Sequence, residues 1–128
     1  MTTRAVTRLC LLLATAFTIS CRRGDAPRQA LEQYFGSAMR GDYSATYRWY
    51  DDAYHAKVSR DDFVRHRREA SVLQAFEILS LDADRDSGHA TVRLTFAPSE
   101  RLARTAAVTT TVREDLVRQR DGWRVRVW

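Results

Sequence analysis

The chain has 128 residues, 45% of them hydrophobic, and carries 21 Lys and Arg against 16 Asp and Glu for a net charge of +5. That length supports one domain core and excludes two, and so mild a charge does not argue for nucleic acid as a partner. Two cysteines, Cys10 and Cys21, are too few for the disulfide scaffold of a small secreted domain. Along the chain, Arg4 and Arg8 precede an apolar run, Leu9 to Ile19, of 11 residues. Such a run is too short to span a bilayer, which takes about 20 residues. It suits a secretory signal core, and two cleavage points fit it. Ala14-Thr15-Ala16 has the form that ordinary signal peptidase accepts, but cutting there leaves a core of only Leu9 to Leu13. Cleavage before Cys21 uses the whole core.

Thr18-Ile19-Ser20-Cys21 resembles the lipobox of bacterial lipoproteins, with Ser20 as the small residue before the cut and Thr18 where the usual motif has Leu. The resemblance implies that Cys21 is lipidated and begins the processed chain. Residues 1–20 are then the signal, 21–26 the lipidated cysteine and a short tether, and 27–128 the domain. An ordinary exported protein with Cys21 as a free thiol is the alternative. Either way the chain is exported. The lipid reading places it in the cell envelope, anchored to a membrane and facing the periplasm or exterior. Cys10 leaves with the signal, so Cys21 is left without an intrachain partner. Loss of Arg4 and Arg8 brings the net charge to +3, and arginine outnumbers lysine 20 to 1.

Three helices are predicted next. The first runs from Pro27 to Arg40, with Asp25 or Ala26 as cap and Leu31, Tyr34, Phe35, Ala38 and Met39 on one face. Gly41 supplies a left-handed stop. The second covers Asp42 to Ala53, where Tyr43, Tyr47, Tyr50 and Tyr54 form a stripe at spacings of 4, 3 and 4. The third begins at Ser59, whose hydroxyl caps the Asp62 amide, and continues to Ser71 with Phe63, Val64 and Ala70 inward. Then the period changes to that of strands: Phe76 to Leu81, His89 to Phe96, Thr105 to Gln119 and Trp123 to Val127. Asp82 to Gly88 is a turn, with Gly88 expected at positive φ, and Asp121-Gly122 marks a hairpin. Helices first and turn-linked strands after give an α+β domain: three helices packed on a curved antiparallel sheet of about four strands.

The first helix followed by Gly41-Asp42-Tyr43-Ser44, the helix opened by Ser59-Arg60-Asp61-Asp62-Phe63 and the closing Asp121-Gly122-Trp123-Arg124-Val125 resemble the nuclear transport factor 2-like superfamily. The resemblance implies a cone of curved sheet around a long N-terminal helix. Its members include ketosteroid isomerases, polyketide cyclases, transport adaptors and small lipoproteins, so it implies no single activity.

No motif announces catalysis, a metal or a cofactor. Asp82-Ala83-Asp84-Arg85-Asp86 begins like a calcium loop, but Ser87 stands where that loop needs Gly and Arg93 where it needs Glu. Asp51-Asp52 and Asp61-Asp62 read as helix-end carboxylates. His66 and His89 read as exposed, and Arg60, Arg65, Arg67 and Arg68 as a solvated basic face. Tyr34, Tyr47, Tyr50 and His55 are candidates to line a pocket, because a buried tyrosine needs a partner for its hydroxyl. Glu114, between Val112 and Leu116, is the one carboxylate placed on an apolar strand face. The reading taken is a non-catalytic envelope lipoprotein, held to the membrane by its lipid, whose domain binds a small apolar ligand or an envelope protein. An isomerase- or cyclase-like enzyme using Tyr34 and Glu114 is one alternative. A homodimer through the wet sheet face is the other, although Arg93, Arg124 and Arg126 would repel across it.

Overall fold

In the computed structural model the described residues are 26–128. The signal, Cys21 and the tether up to Asp25 lie outside them. Helix α1 spans Pro27–Met39. Pro27 suits its first turn, because the missing N–H would be unbonded there anyway. Ala30, Leu31, Phe35, Ser37 and Ala38 are its buried residues, whereas Met39 is 41% exposed, so the inward face ends one residue before the periodicity suggests. Gly41 (φ 71°) makes the expected left-handed stop.

The expected second helix is two. Helix α2 covers Tyr43–Arg48 and α3 covers Asp52–Lys57, which raises the helix count to four. The break has a physical cause. The Asp51 carboxylate accepts the Tyr54 N–H at 3.0 Å and so starts a new helix, while the intervening backbone bonds to the sheet. Trp49 C=O accepts the Val125 N–H at 2.8 Å, and the Asp51 N–H donates to Val125 C=O at 2.9 Å. Helix α4 spans Arg60–Glu69, and the Ser59 hydroxyl accepts the Asp62 N–H at 3.2 Å. Phe63 is buried, Val64 is half-buried and Ala70 lies exposed past the helix end.

Four antiparallel strands follow in the order β1-β2-β3-β4. They are β1 Leu73–Ala83, β2 Ser87–Phe96, β3 Val108–Gln119 and β4 Gly122–Arg126. The first begins three residues earlier than alternation suggests, because Leu73 is core. Gly88 lies inside β2, paired with Ala83 and Leu116. A Cβ there would lie 3.0 Å from Ala83 Cβ and from the Asp82 carbonyl. Glycine is therefore favoured here by close approach, and the expected positive φ does not occur. In the turn, the Asp84 carboxylate accepts the N–H groups of Asp86 and Ser87 at 2.9 Å each, and these bonds lower its pKa despite full exposure.

One face of the sheet carries Phe76, Ile78, Ala90, Val92, Leu94, Val112, Leu116, Trp123 and Val125 toward α1, whose Ala30, Leu31 and Phe35 complete the core. The other face is wet, and its arginines are mostly paired. Arg93 meets Glu77 at 2.7 Å, Arg113 meets Asp115 at 3.0 Å, and Arg124 meets Asp121 at 2.7 Å while stacking on Trp49. Among the described residues no helix is long and apolar enough to cross a membrane.

Candidate functional site: a cavity between the first helix and the sheet

Helical spacing on α1 places Tyr34 and Phe35 side by side over the sheet, and period-2 alternation on β3 aims Glu114 at the same space, opposite Ala90. Between them is a cavity of about 90 Å³ lined by Tyr34, Phe35, Ala38, Thr46, Arg67, Leu73, Leu94, Phe96 and Glu114. Its apolar walls are interrupted by Tyr34, Thr46, Arg67 and Glu114. The Tyr34 hydroxyl lies 2.7 Å from that of Tyr50, in hydrogen bond, and Tyr50 stands behind Tyr34 and not in the cavity wall. Tyr50 reaches this position because the Trp49–Asp51 backbone is fastened beside β4.

Burial governs the electrostatics. It pushes Tyr34 well above the ordinary tyrosine value, with the neighbouring Tyr50 and Glu114 adding to the effect and Arg67 opposing it. Burial likewise raises Tyr50 to about 12, offset in part by the hydrogen bond from Tyr34. One hydroxyl proton therefore holds the pair together, and the other is free to donate. Glu114 is raised from 4.5 to about 7, first by burial and then by the charge of Asp115. No hydrogen bond or ion pair holds its carboxyl among the described residues. A carboxyl half-titrated at neutral pH, beside a phenol pair in an apolar enclosure, can accept or donate a proton to a small guest.

The other candidates lie elsewhere. Tyr47 donates its hydroxyl to the Val58 carbonyl at 2.6 Å, and His55 Nε2 lies 2.8 Å from the Tyr47 carbonyl. Both belong to an aromatic cluster with Tyr54 and Phe63, outside the cavity wall. His66 Nδ1 bonds the Asp62 carbonyl at 2.7 Å on the exposed face of α4. His89 is exposed, 3.7 Å from Asp82. Asp51 and Asp52 stand at the start of α3, and Asp61 and Asp62 in the first turn of α4. Among the described residues no group of three or more His, Cys, Asp and Glu side chains is placed to hold a metal ion. Sequence reasoning missed Arg67, which reads as part of a solvated face but is half-buried and lines the cavity, 5.6 Å from the centre of the Tyr43 ring. It also missed Thr46, whose hydroxyl lies 2.8 Å from that of Ser37.

No protein-family model and no curated protein matches the sequence. Solved structures do match its fold. A SEC-C motif containing protein from Rhodopseudomonas palustris aligns over 80% of this chain and 76% of its own, with TM-score 0.65 and 13% identity. Another from Psychrobacter arcticus aligns over 82% of this chain, TM-score 0.64 and 7% identity; the alignment spans only 60% of that protein. A Campylobacter jejuni protein described as an NTF2-like transpeptidase is covered over its whole length, with TM-score 0.56 and 14% identity. At such identities the likeness concerns fold alone, and the fold is nuclear transport factor 2-like.

Proposed function

We propose that this protein is a lipid-anchored component of the bacterial cell envelope. Its domain binds a small, largely apolar guest with one hydrogen-bonding end in the cavity beside Tyr34, without transforming it. The observation that carries the binding reading is the cavity itself, where the half-buried Glu114 carboxyl, without a hydrogen-bond or ion-pair partner among the described residues, shares the wall with Tyr34, Leu73, Leu94 and Phe96. A guest's hydroxyl would give that carboxyl a partner in place of water. The volume limits the guest. About 90 Å³ is well under the roughly 300–1,000 Å³ of pockets for drug-sized ligands, and under the roughly 150 Å³ of a cavity known to admit benzene. A steroid does not fit. A fragment of a few non-hydrogen atoms does, as does the end of a longer chain. The anchor reading rests on Arg4, Arg8, the apolar run and Ser20-Cys21.

Two experiments test the two parts separately. Intact mass of the full chain extracted from bacterial membranes should show Cys21 as the first residue, carrying diacylglyceryl and acyl groups; an unlipidated chain refutes the anchor. The same extracted protein, with labelled Leu methyl groups, should show shifts at Leu73 and Leu94 on titration with acetone or isopropanol. Those shifts should weaken in Tyr34→Phe and Glu114→Gln. Unmoved methyl signals across millimolar probe concentrations refute the binding reading.

A second reading is favoured by one observation: a carboxyl raised to about 7 beside hydroxyl donors is a base poised for proton transfer next to a carbonyl. In an isomerase- or cyclase-like enzyme Glu114 would move the proton and the tyrosine pair would hold the oxygen. Unchanged turnover of a substrate by Glu114→Gln would exclude it. The transpeptidase description of the Campylobacter protein is not carried over. The aliphatic hydroxyl at the cavity, Thr46, is tied to the Asp42 carbonyl at 3.1 Å and has no base beside it.

A further inference from the structure

Strand β3 is paired on both sides over only part of its length. On one side β2 pairs with it from Val108 to Val117. On the other, β4 pairs with it only from Asp115 to Gln119. From Val108 to Glu114 the side of β3 away from β2 has no strand against it among the described residues. Gln119 and Gly122 flank a two-residue turn and so form a hydrogen-bonded pair. The same parity points the backbone N–H and C=O of Thr109, Thr111 and Arg113 at the open side.

Free edges in native sheets normally carry guards: bulges, charges, proline. The sheet's other free edge, β1, has them, with register shifts at Leu73/Ala75 and Ile78/Ser80 and with Glu77 and Asp82 along it. Val108-Thr109-Thr110-Thr111-Val112 has none. Its register against β2 is regular. It contains no charge, glycine or proline, every residue is β-branched, and residues 108 to 111 are exposed. It also reads the same in both directions. Two copies laid antiparallel about a twofold axis at Thr110 set Val108 against the partner's Val112 and Thr109 against the partner's Thr111. Thr110 meets its own copy. One step further out, Arg113 meets the partner's Ala107 and Glu114 the partner's Ala106, so no like charges oppose each other. An isologous contact demands this self-complementarity.

We propose that a second copy of this chain docks on the open edge, β3 against β3, and joins two four-stranded sheets into one. The contact uses the strand edge and leaves the wet face free, with Glu114 at the margin of both the contact and the cavity. About four backbone hydrogen bonds form at its centre, from Thr109 and Thr111 of each copy. So small a contact makes a weak dimer, with a dissociation constant on the order of 10 µM to 1 mM.

The test is sedimentation of the full chain extracted in a nonionic detergent, from about 10 µM to about 1 mM. Dimer should accumulate with concentration. Thr110→Lys and Thr110→Glu each place like charges on the twofold axis and should weaken the dimer at least roughly tenfold. An equal mixture of the two should restore it to about the wild-type value, which a misfolded variant cannot do. Thr111→Pro removes an outward N–H while sparing the bonds to β2, and should also abolish the dimer. A monomer at the highest concentration overturns the proposal. So do open-ended oligomers, dimers indifferent to these variants (as when a micelle houses two chains), or a mixture of the charge variants that fails to pair.

Discussion

Replacing Glu114 by Gln should alter stability in a way that depends on pH. Glutamine matches the shape of the carboxyl but cannot ionise. In the native protein the Glu114 pKa is raised from 4.5 to about 7, so between those values the folded state binds more proton than the unfolded chain. Stability then falls as pH rises, because the unfolded state gains by ionising freely. The contribution is fully present below the unfolded pKa of 4.5, is lost progressively up to about 7, and changes no further above that. Each pH unit in the window is worth about 1.4 kcal/mol, so the full loss is about 3 kcal/mol. Partial solvent access at the cavity end trims this to roughly 2–3 kcal/mol. Urea unfolding of wild type and Glu114→Gln at about pH 5 and about pH 8 measures the difference directly, because the other titrating groups cancel between the two proteins. The variant should gain roughly 2–3 kcal/mol on wild type between the two conditions. A stability difference that does not move with pH would show that the carboxyl is solvated and the site is not what its burial indicates.

Other outcomes follow from the same geometry. Tyrosinate absorbance should show Tyr34 and Tyr50 ionising later than an ordinary tyrosine, because burial raises both; Tyr50→Phe should remove one late-ionising group. Tyr34→Phe leaves the Tyr50 hydroxyl without its partner and should cost about 1–2 kcal/mol in chemical denaturation. Asp51→Ala strips the cap from α3 at a site only 6% exposed and should cost about 1–2 kcal/mol, with Asp51→Asn recovering most of it. Gly88→Ala forces a methyl into the Ala83–Asp82 contact and should lower stability by about 1–2 kcal/mol.

The strands and the Glu114 side of the site were legible because β alternation is local. Val112, Glu114 and Leu116 share a face whatever else the chain does. Tyr34 follows in the same way from helical spacing. Tyr50 was legible as a candidate, but the break in the helix that positions it was not. Spacings of 4, 3 and 4 among the tyrosines describe one uninterrupted helix, and what breaks it is a bond to Val125, far along the chain. The local hint was Asp51-Asp52, an N-cap followed by a first-turn acid, which also suits a helix beginning. Arg67 was hidden among exposed arginines because a periodic pattern on α4 does not reveal what lies across from it. Periodicity places Leu94 and Phe96 on a strand and Leu73 between elements, and only the register of β1 against β2 brings them to one cavity.

The two bonds that Val125 makes to Trp49 and Asp51 join points about 75 residues apart, with Val125 three residues from the end of the described chain. Contacts so distant in sequence form late, since the loop they close costs entropy before it returns any contact energy. Until β4 is in place, Tyr50 has no backbone bond to hold it opposite Tyr34, and that side of the interior stays open. Strand β4 thus acts as a latch between the helices and the sheet.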